Sequence, residues 1–420
     1  MAEDTLEGND QPASLRPWAS LRYRDFGLLF AASLFATTAQ HMRQTQNLYQ
    51  VYELSGSAFQ LGLTGLAQAI PIFAIGLFAG TLADLMDRRK LLLLAIGGNF
   101  FIAAALGILT ITGSIQVWHI LVGTALTSGV NIILNPARMA MIARLVPRSH
   151  LTNAVSLNSS VAQGSHFIGP MMGGLSLTWM SAGNAYLLNA LFYVPAAAGV
   201  FFMRTAGAPE RVRESLSIRS LLGGVRFLWW QRVAFALVLL DFMIMGVGSY
   251  RPLLPVFAKD IFHVGPAGFG LLASAPAVGG MLGVLALLVV GDVKQKGLLA
   301  LWSLLLFSLC LGVFALSRNF WAALVLVGAL GLTNSLQAVM RQTAFHLLTP
   351  DHLRGRAFAV FNMFSSGAGS VGAIEAGFAA ALLGAPGALL LGSAVGLILT
   401  LTFWAAWPGL RQFRATGAPP

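Results

Sequence analysis

Charged side chains are scarce in this sequence of 420 residues. Asp, Glu, Lys and Arg make up only 10% of it, whereas hydrophobic residues make up 56%. Soluble domains carry roughly 25% charged residues, so this composition excludes an ordinary soluble fold. The mean hydropathy of +0.74 predicts instead a protein that lies largely within a lipid bilayer.

Cysteine and the common catalytic motifs are lacking too. The single cysteine, Cys310, lies in an apolar run, which excludes a disulfide framework and a cysteine metal site. The nucleotide-binding loop Gly-x4-Gly-Lys-Ser/Thr does not occur, so ATP is not the expected energy source. No set of metal ligands stands at binding spacing. We therefore expect a protein that is not an enzyme and that has no cofactor and no metal.

The excess of basic residues gives a net charge of +11. These residues occupy short gaps between apolar runs rather than a soluble basic patch, which favours membrane topology over nucleic-acid binding. The first 25 residues are polar and contain no apolar core before Phe26. We expect no cleavable signal peptide, so the first apolar run would direct membrane insertion.

A membrane-spanning helix needs about 20 mostly apolar residues. By this measure the sequence predicts an all-α membrane protein with twelve transmembrane helices. The Gly384-Ala385-Pro386-Gly387 break separates the last two of them. The predicted spans 1 to 12 cover residues 26–52, 60–82, 91–112, 116–137, 154–178, 183–203, 233–257, 267–290, 297–316, 319–340, 357–383 and 386–407.

The distribution of Lys and Arg predicts the orientation. If the N-terminus is cytosolic, 22 of the 26 basic residues fall on inner segments, so both termini are expected to be cytoplasmic in the plasma (inner) membrane. The domains would be a tail (1–25), a six-helix half (26–203), a linker (204–232), a second half (233–407) and a tail (408–420). Trp229 and Trp230 near the end of the linker suit an interfacial helix, and a plain linker is equally compatible.

The two halves resemble each other in sequence. Arg138 begins the segment RMAMIARLVP and Arg341 begins RQTAFHLLTP, at an offset of 203 residues. Duplicated halves are typical of secondary transporters, whose binding site lies between the repeats near the middle of the membrane. We therefore predict two pseudo-symmetric six-helix halves.

Polar residues are concentrated in every third span, beginning with the first. In span 4 they recur at helical spacing along one face, and spans 1, 7 and 10 repeat the pattern. We predict that spans 1, 4, 7 and 10 surround a wet cavity and that spans 3, 6, 9 and 12 face lipid, although hydrogen bonding between helices is the alternative for any one amide. The candidate cavity residues are Gln40, Arg43, Gln44, Asn47, Thr127, Asn131, Asn135, Arg251, Asn334, Gln337 and Arg341.

Two carboxylates, Asp241 and Glu375, lie within predicted spans. A charge in the membrane is costly and burial favours the neutral acid, so both are candidate proton-coupling sites. A static ion pair is the alternative. His41 and His166 are compatible with a proton relay but favour a packing role. Arg43 and Arg251 lie near corresponding positions of spans 1 and 7, and they would place positive charge on the cavity wall, which suits an anionic or carbonyl-rich substrate.

The segment after span 2 is the most specific motif. Gly80 begins GTLADLMDRRK, which resembles the signature between spans 2 and 3 of the major facilitator superfamily. This resemblance implies the two-halved twelve-helix fold and a conformational latch that holds one side shut. The latch residues would be Gly80, Asp84, Arg88 and Arg89.

Span 5 contains a second motif. Gly169 begins GPMMGG, which is similar to the core of the antiporter motif in exporters of the superfamily. Gly169, Pro170, Gly173 and Gly174 would kink this helix and allow close packing. The family pattern has a glycine where this chain has Ser165.

Further segments resemble the branch that contains the enterobactin exporter and related drug–proton antiporters, among them QVYELSGS from Gln50 and LLPVF from Leu253. The arginine that many drug–proton antiporters carry early in span 4 is absent, so Asp241, Glu375 or Arg43 would have to replace it. The resemblance implies a monomeric, proton-coupled exporter of a drug-like or siderophore-like small molecule. An importer or uniporter of the same fold is one alternative, and a non-transporting receptor or scaffold is another.

Overall fold

The computed structural model describes residues 17–76, 86–205, 239, 246, 248–291, 295–349 and 354–406. For 344–348, 354–364 and 366 it describes the backbone only. Within this part of the chain, every long element is a helix.

The first half contains six long helices. Gly56 ends the first of them in the left-handed conformation, with φ of 60°. The Asp87 side chain caps the third by accepting hydrogen bonds from the backbone N–H groups of Arg89 and Lys90. The helices are α1 (Arg24–Ser55), α2 (Ala58–Ile75), α3 (Arg88–Ile111), α4 (Val117–Leu145), α5 (Leu151–Trp179) and α6 (Ala182–Phe201).

The first described element of more than one residue in the second half is a short irregular helix, which we label α7. It joins a 3-10 turn (Arg251–Leu253), an α turn (Leu254–Val256) and a π turn (Phe257–Ile261). The longer helices that follow are α8 (Gly265–Val290), α9 (Lys296–Leu316) and α10 (Phe320–Leu348). The final helical stretch, Arg354–Ala406, is interrupted at Gly384, where φ is 74°, and we label 354–383 α11 and 385–406 α12. This break confirms the predicted separation of the last two spans.

Eight helices in the described residues are long and apolar enough to cross a membrane, with α11 and α12 counted as one. Helices α1 and α5 have 32 and 29 residues, which is also long enough, but they are more polar. The predicted span 7 lies mostly outside the described residues. The count of twelve spans and the domain boundaries therefore stay predictions.

Two helices extend beyond the spans predicted from hydropathy. Helix α4 runs to Leu145 and α10 to Leu348, eight residues beyond the predicted ends at 137 and 340. Hydropathy detects only the apolar part of a helix, whereas the backbone hydrogen bonds continue through the polar final turns that carry Arg138 and Arg341.

The internal repeat extends well beyond the ten matching residues. Helices α4 and α10 both have 29 residues, and their first residues are 203 apart. The same offset separates the starts of α5 and α11, at 151 and 354. The duplication seen in one short motif is therefore a duplication of helix pairs.

Equivalent helices pack against equivalent neighbours in the two halves. In the first half, α1 contacts α5 and α6, α3 contacts α4 and α6, and α2 contacts α4. In the second half, α10 contacts α8 and α9, and α9 also contacts α12. The halves meet along two interfaces, α2 against α11 and α5 against α8, which the pseudo-symmetry relates to each other.

Large apolar side chains are exposed on the helices that were predicted to face lipid. Phe101 on α3, Leu191 on α6, Trp302 on α9 and Ile398 on α12 are all more than half exposed. Apolar side chains on the surface of a helical bundle of this hydropathy suit a surrounding bilayer. The molecule is an all-helical, multi-pass membrane protein.

Candidate functional site

Two ends of the bundle serve as reference points. The basic end is where α1 begins and α4 ends, and it carries Arg24 and Arg148. The opposite end is where α1 ends and α8 begins, and it carries Glu53 and Asp260. The charge distribution predicts that the basic end is cytosolic.

The first cavity, of about 540 Å³, lies within the first half between α1, α2 and α4. Sequence reasoning missed two of its polar residues, Thr64 and Gln68, which lie four residues apart on one face of α2 in an otherwise apolar run. The predicted residues that line it are Gln40, Arg43, Gln44, Asn47, Thr127, Asn131 and Asn135.

The second cavity, of about 380 Å³, lies between the halves and is bounded by α1, α5, α7, α8 and α10. Arg251 and Asn334 line it, as predicted. His41 and His166 line it as well, although they were expected to pack. Gln44 lines both cavities, so its side chain marks the boundary between them.

Gln337 and Arg341 were predicted to line the cavity but line neither of the two. Both side chains are buried, at 4% and 9% exposure. Arg341 is seven residues beyond Asn334 on α10, which places it about 10 Å closer to the basic end. The spacing of these residues on one helix face does not give the depth of the cavity along the helix.

Arg43 contributes to the wall of the first cavity while its guanidinium is held by protein groups. It is 2% exposed and donates hydrogen bonds to the Asn99 backbone oxygen at 2.9 Å and to Asn99 Oδ1 at 2.7 Å. Its guanidinium carbon lies 5.6 Å from the centre of the Tyr193 ring. Arg43 therefore connects α1 to α3 and α6.

Other polar residues of α1 also hold helices together. Gln46 is fully buried and donates to Ser176 Oγ on α5 and to the Ala185 carbonyl on α6, both at 3.0 Å. Asn47 donates to Thr124 on α4 while it also lines the first cavity. The alternative of helix–helix hydrogen bonding therefore holds for part of the predicted polar stripe.

The glycines of the GPMMGG motif allow close contact on two sides of α5. A Cβ atom on Gly169 would lie 2.5 Å from His41 Cβ of α1, and one on Gly173 would lie 2.8 Å from the Met42 oxygen. A Cβ atom on Gly174 would lie 2.6 Å from Gly270 Cα of α8. The motif therefore packs α5 against a helix of its own half and against one of the other half.

Ser165, which replaces a glycine of the family pattern, is fully buried. Its hydroxyl hydrogen-bonds the Thr38 hydroxyl of α1 at 3.1 Å. The serine thus adds a polar contact between α1 and α5.

The latch motif is only partly described. Gly80 and Asp84 lie outside the described residues. Arg88 is buried at 4% exposure. Arg89 donates to the carbonyls of Val200 and Phe201 at the end of α6, so this side chain anchors a helix of its own half.

The two candidate proton carriers differ in what the structure describes. Asp241 lies outside the described residues. Glu375 lines neither cavity, and it shares a face of α11 with the exposed residues Val371, Phe378 and Leu382. This face points away from both cavities, toward the surface that the bilayer would cover.

The halves are in contact near the opposite end. Tyr52 of α1 donates a hydrogen bond to Asp260 of α7, and the Lys259 ammonium lies 5.9 Å from the centre of the Tyr52 ring. A Cβ atom on Gly62 of α2 would lie 2.9 Å from Gly377 Cα of α11. Backbone therefore meets backbone across both interfaces between the halves at this end.

Comparisons with known proteins match this architecture. A family model described as transmembrane secretion effector matches residues 15–415. The multidrug efflux pump Tap of Mycolicibacterium fortuitum is 24% identical, over 83% of this chain and 88% of that protein. The enterobactin exporter EntS of Shigella boydii is 28% identical, over 88% of each chain.

Among solved structures, the nucleoside transporter NupG (D323A mutant) superposes with a TM-score of 0.76 at 12% identity. The superposition covers 91% of this chain and 100% of NupG, and it shows that the fold is shared. The chain belongs to the transmembrane secretion effector family of the major facilitator superfamily, a family of transporters and not of enzymes.

Proposed function

We propose that this protein exports an amphipathic small molecule from the cytosol by alternating access. One observation carries the proposal: two polar cavities lie inside the bundle while the halves contact each other at the opposite end. The first cavity extends along α4 from Thr124 to Pro136, toward the basic end. If the basic end is cytosolic, this is the state that receives cargo from the cytosol.

Contacts between the halves suit a reversible closure. At Gly62–Gly377 and Gly174–Gly270 the two backbones meet without interlocking side chains. Such surfaces separate without any side-chain rearrangement, so the halves could rock apart as rigid bodies. The Tyr52–Asp260 hydrogen bond would break in the same step.

Proton entry would supply the driving force, because the chain has no nucleotide-binding loop. Asp241 and Glu375 are the candidate carriers. A carboxylate couples protons to transport only if its proton affinity differs between the two conformations. Glu375 lies on α11, which contacts α2 of the other half, so its surroundings would change when the halves move. Asp241 lies in the predicted span 7.

The predicted topology also gives the location of the protein and of its termini. The protein would lie in the plasma (inner) membrane as a monomer, with both termini cytoplasmic, and its partners would be cargo, protons and lipid. The relatives named as a multidrug pump and an enterobactin exporter support a drug-like or siderophore-like cargo.

Transport in proteoliposomes tests the proposal. Vesicles with an acidic lumen in a neutral bath would be offered a panel of fluorescent organic anions and cations. We expect at least one compound to accumulate inside as protons leave, and a protonophore to abolish the accumulation. Asp241→Asn is expected to reduce it at least tenfold, and Glu375→Gln is the second carrier variant. If accumulation against the gradient survives both substitutions together, neither carboxylate is the coupling site.

The same assay separates the alternatives. Accumulation under the reversed pH gradient would indicate a proton-driven importer. Equilibration without accumulation under either gradient would indicate a uniporter. A purified protein that binds compounds but moves none would contradict transport and favour a receptor or scaffold.

A further inference from the structure

The charged groups around the two cavities are all of one sign. In the described part of the chain, every Asp, Glu, His, Lys or Arg residue that lines either cavity is basic: Arg43 in the first, and His41, His166 and Arg251 in the second. The described carboxylates lie at the two ends of the bundle or on the outer face of α11. They are Asp25, Glu53, Asp87, Asp260 and Glu375.

The two arginines differ in what they offer to a ligand. The Arg43 guanidinium is nearly inaccessible, and both of its terminal nitrogens donate to Asn99. Arg251 is exposed and borders the cavity between the halves. Its side chain hydrogen-bonds Tyr250, but a guanidinium has several N–H donors, and those that remain suit a carboxylate, phosphate or sulfonate. Arg251 is therefore the group available to an anion, whereas Arg43 adds a fixed positive potential.

Two histidines face the same cavity as Arg251. The His41 and His166 rings stack with their centres 3.9 Å apart, and the charge of Arg251 acts on both rings. The His41 ring also hydrogen-bonds the side chain of Gln44, the residue shared by the two cavities. Three groups that donate hydrogen bonds or carry positive charge thus converge on one space, with no carboxylate among the described lining residues.

We propose that Arg251, His41 and His166 form an anion-binding subsite between the halves, and that the cargo is an amphipathic organic anion. Its acidic group binds at this subsite, and its body extends past Gln44 into the amide-lined first cavity. The inference rests on the proposed transport function and deepens it by naming the charge class of the cargo.

The three residues of the subsite come from both halves of the molecule. Arg251 belongs to α7 of the second half, whereas His41 and His166 belong to α1 and α5 of the first. An anion bound between them contacts both halves at once, so its binding depends on their relative position. A cation would meet the positive charge of Arg251 there, which costs affinity.

Binding of two probes of opposite charge and similar shape tests the proposal. The probes are 1-naphthalenesulfonate and N,N,N-trimethyl-1-naphthylammonium, and their affinities are measured by calorimetry on purified protein in neutral detergent. We expect the sulfonate to bind at least tenfold more tightly than the ammonium. Arg251→Gln should weaken sulfonate binding at least tenfold, and Arg251→Lys should retain much more of it. His41→Gln and His166→Gln should each weaken it several-fold.

Arg318→Gln is the matched control, because it removes the same charge from an exposed position at the opposite end that lines neither cavity. It should leave both affinities unchanged. Equal or tighter binding of the ammonium probe, or sulfonate binding that is insensitive to Arg251→Gln, would overturn the proposal. If the wild type prefers the ammonium probe and the Asp241→Asn variant prefers the sulfonate, the proposal is wrong and Asp241 sets the charge of the site.

A lipid headgroup could supply the same anionic chemistry as a soluble cargo. Adding phosphatidylglycerol to the micelles separates the two: if it displaces the sulfonate in an Arg251-dependent way at stoichiometric amounts, the subsite holds lipid and the cargo assignment is wrong. Transport in the proteoliposome panel remains an independent readout. Export of cations alone would refute the anion subsite while leaving export standing, whereas the absence of any transport would refute the proposed function itself.

Discussion

The two halves share one helix arrangement, but the contacts described around α1 and α7 differ in kind. In the first half, α1 is connected by hydrogen bonds of Arg43, Gln46 and Asn47 to α3, α4, α5 and α6. In the second half, the described part of the corresponding span, α7, packs through Leu253 and Phe257, which are both fully buried among apolar side chains.

This difference has a mechanical consequence. Hydrogen bonds fix both distance and direction, whereas apolar contacts tolerate small sliding movements. We infer that the first half behaves as a rigid unit around α1, and that the second half can adjust its packing around α7. Movement during transport would then be taken up at the interfaces between the halves and within the second half.

The largest effect is expected from a wedge at the interface between the halves. Gly174→Val places methyl groups where even a Cβ atom would lie 2.4 Å from the Pro266 oxygen. If the first half is rigid, α5 cannot yield, and the halves must separate at the opposite end. Transport should fall at least tenfold, because the conformation in which the halves are closed at the opposite end becomes inaccessible.

Spin labels at positions 54 and 321 measure the separation. Leu54 and Trp321 are exposed near the opposite end, one in each half, and replacing Cys310 by serine leaves no other thiol. The distance between the labels should increase by several ångströms in Gly174→Val. Gly97→Val is the matched control, since a Cβ atom there would meet nothing within 4 Å. An unchanged distance in Gly174→Val would show that the first half deforms instead.

A smaller effect should follow from weakening each interior in turn. Gln46→Leu keeps the approximate volume but removes the two hydrogen bonds that connect α1 to α5 and α6. Phe314→Leu trims an apolar contact in the second half, where the rings of Phe314 and Phe257 lie 4.6 Å apart. Hydrogen bonds between membrane helices contribute about 1 kcal/mol. We expect Gln46→Leu to lower transport about fivefold and Phe314→Leu to lower it less than twofold, because apolar contacts re-form.

Initial transport rates, normalised to the amount of folded protein in a size-exclusion peak, provide the measurement. If Phe314→Leu lowers the transport rate more than Gln46→Leu does, the inferred difference between the halves is wrong. We also expect Gln46→Leu to raise amide hydrogen exchange in α6 near Ala185 and Phe314→Leu to leave exchange in α9 unchanged.

Much of the architecture could be predicted from the sequence because it depends on local patterns. Apolar runs, their lengths and the duplicated motif gave the helices and the repeat, and the helical spacing of Gln40, Gln44 and Asn47 identified a face that does line a cavity. Hydropathy could not give the true ends of α4 and α10, since helix hydrogen bonding continues beyond the apolar segment.

The roles of individual polar residues could not be predicted in the same way. Gln44 lines both cavities, whereas Gln46, two residues away, is buried in contacts with α5 and α6. Both are amides on one polar helix, and only the positions of the neighbouring helices distinguish them. His41 and His166 are 125 residues apart in the chain, so no spacing rule indicates their stacking. A helical wheel groups Glu375 with Phe378 but does not say whether that face meets cavity or lipid.

The smallest effect is expected on stability, at the start of α1. Here the first half is hydrogen-bonded to the segment that follows α6. Asp25 accepts hydrogen bonds from the backbone N–H groups of Arg204, at 3.0 Å, and Thr205, at 2.7 Å, and from the Thr205 hydroxyl. Burial raises the pKa of the Asp25 carboxyl, but the hydrogen bonds from Thr205 and Arg204 and the charge of Arg24 together leave it below the ordinary value of 3.8.

A lowered pKa in the folded state stabilises the protein above the ordinary pKa, and this contribution is lost as the pH falls through the lowered value. Asp25→Asn should therefore cost about 1 kcal/mol or less at neutral pH, since it weakens hydrogen bonds to a charged acceptor. The melting temperature of the wild type should approach that of the variant as the solution is acidified. Glu53→Gln, at the exposed far end of α1, is the control and should not reproduce this convergence. If the Asp25→Asn difference persists unchanged at acidic pH, the contact acts through packing rather than charge, and the connection at this end of the first half does not depend on ionisation.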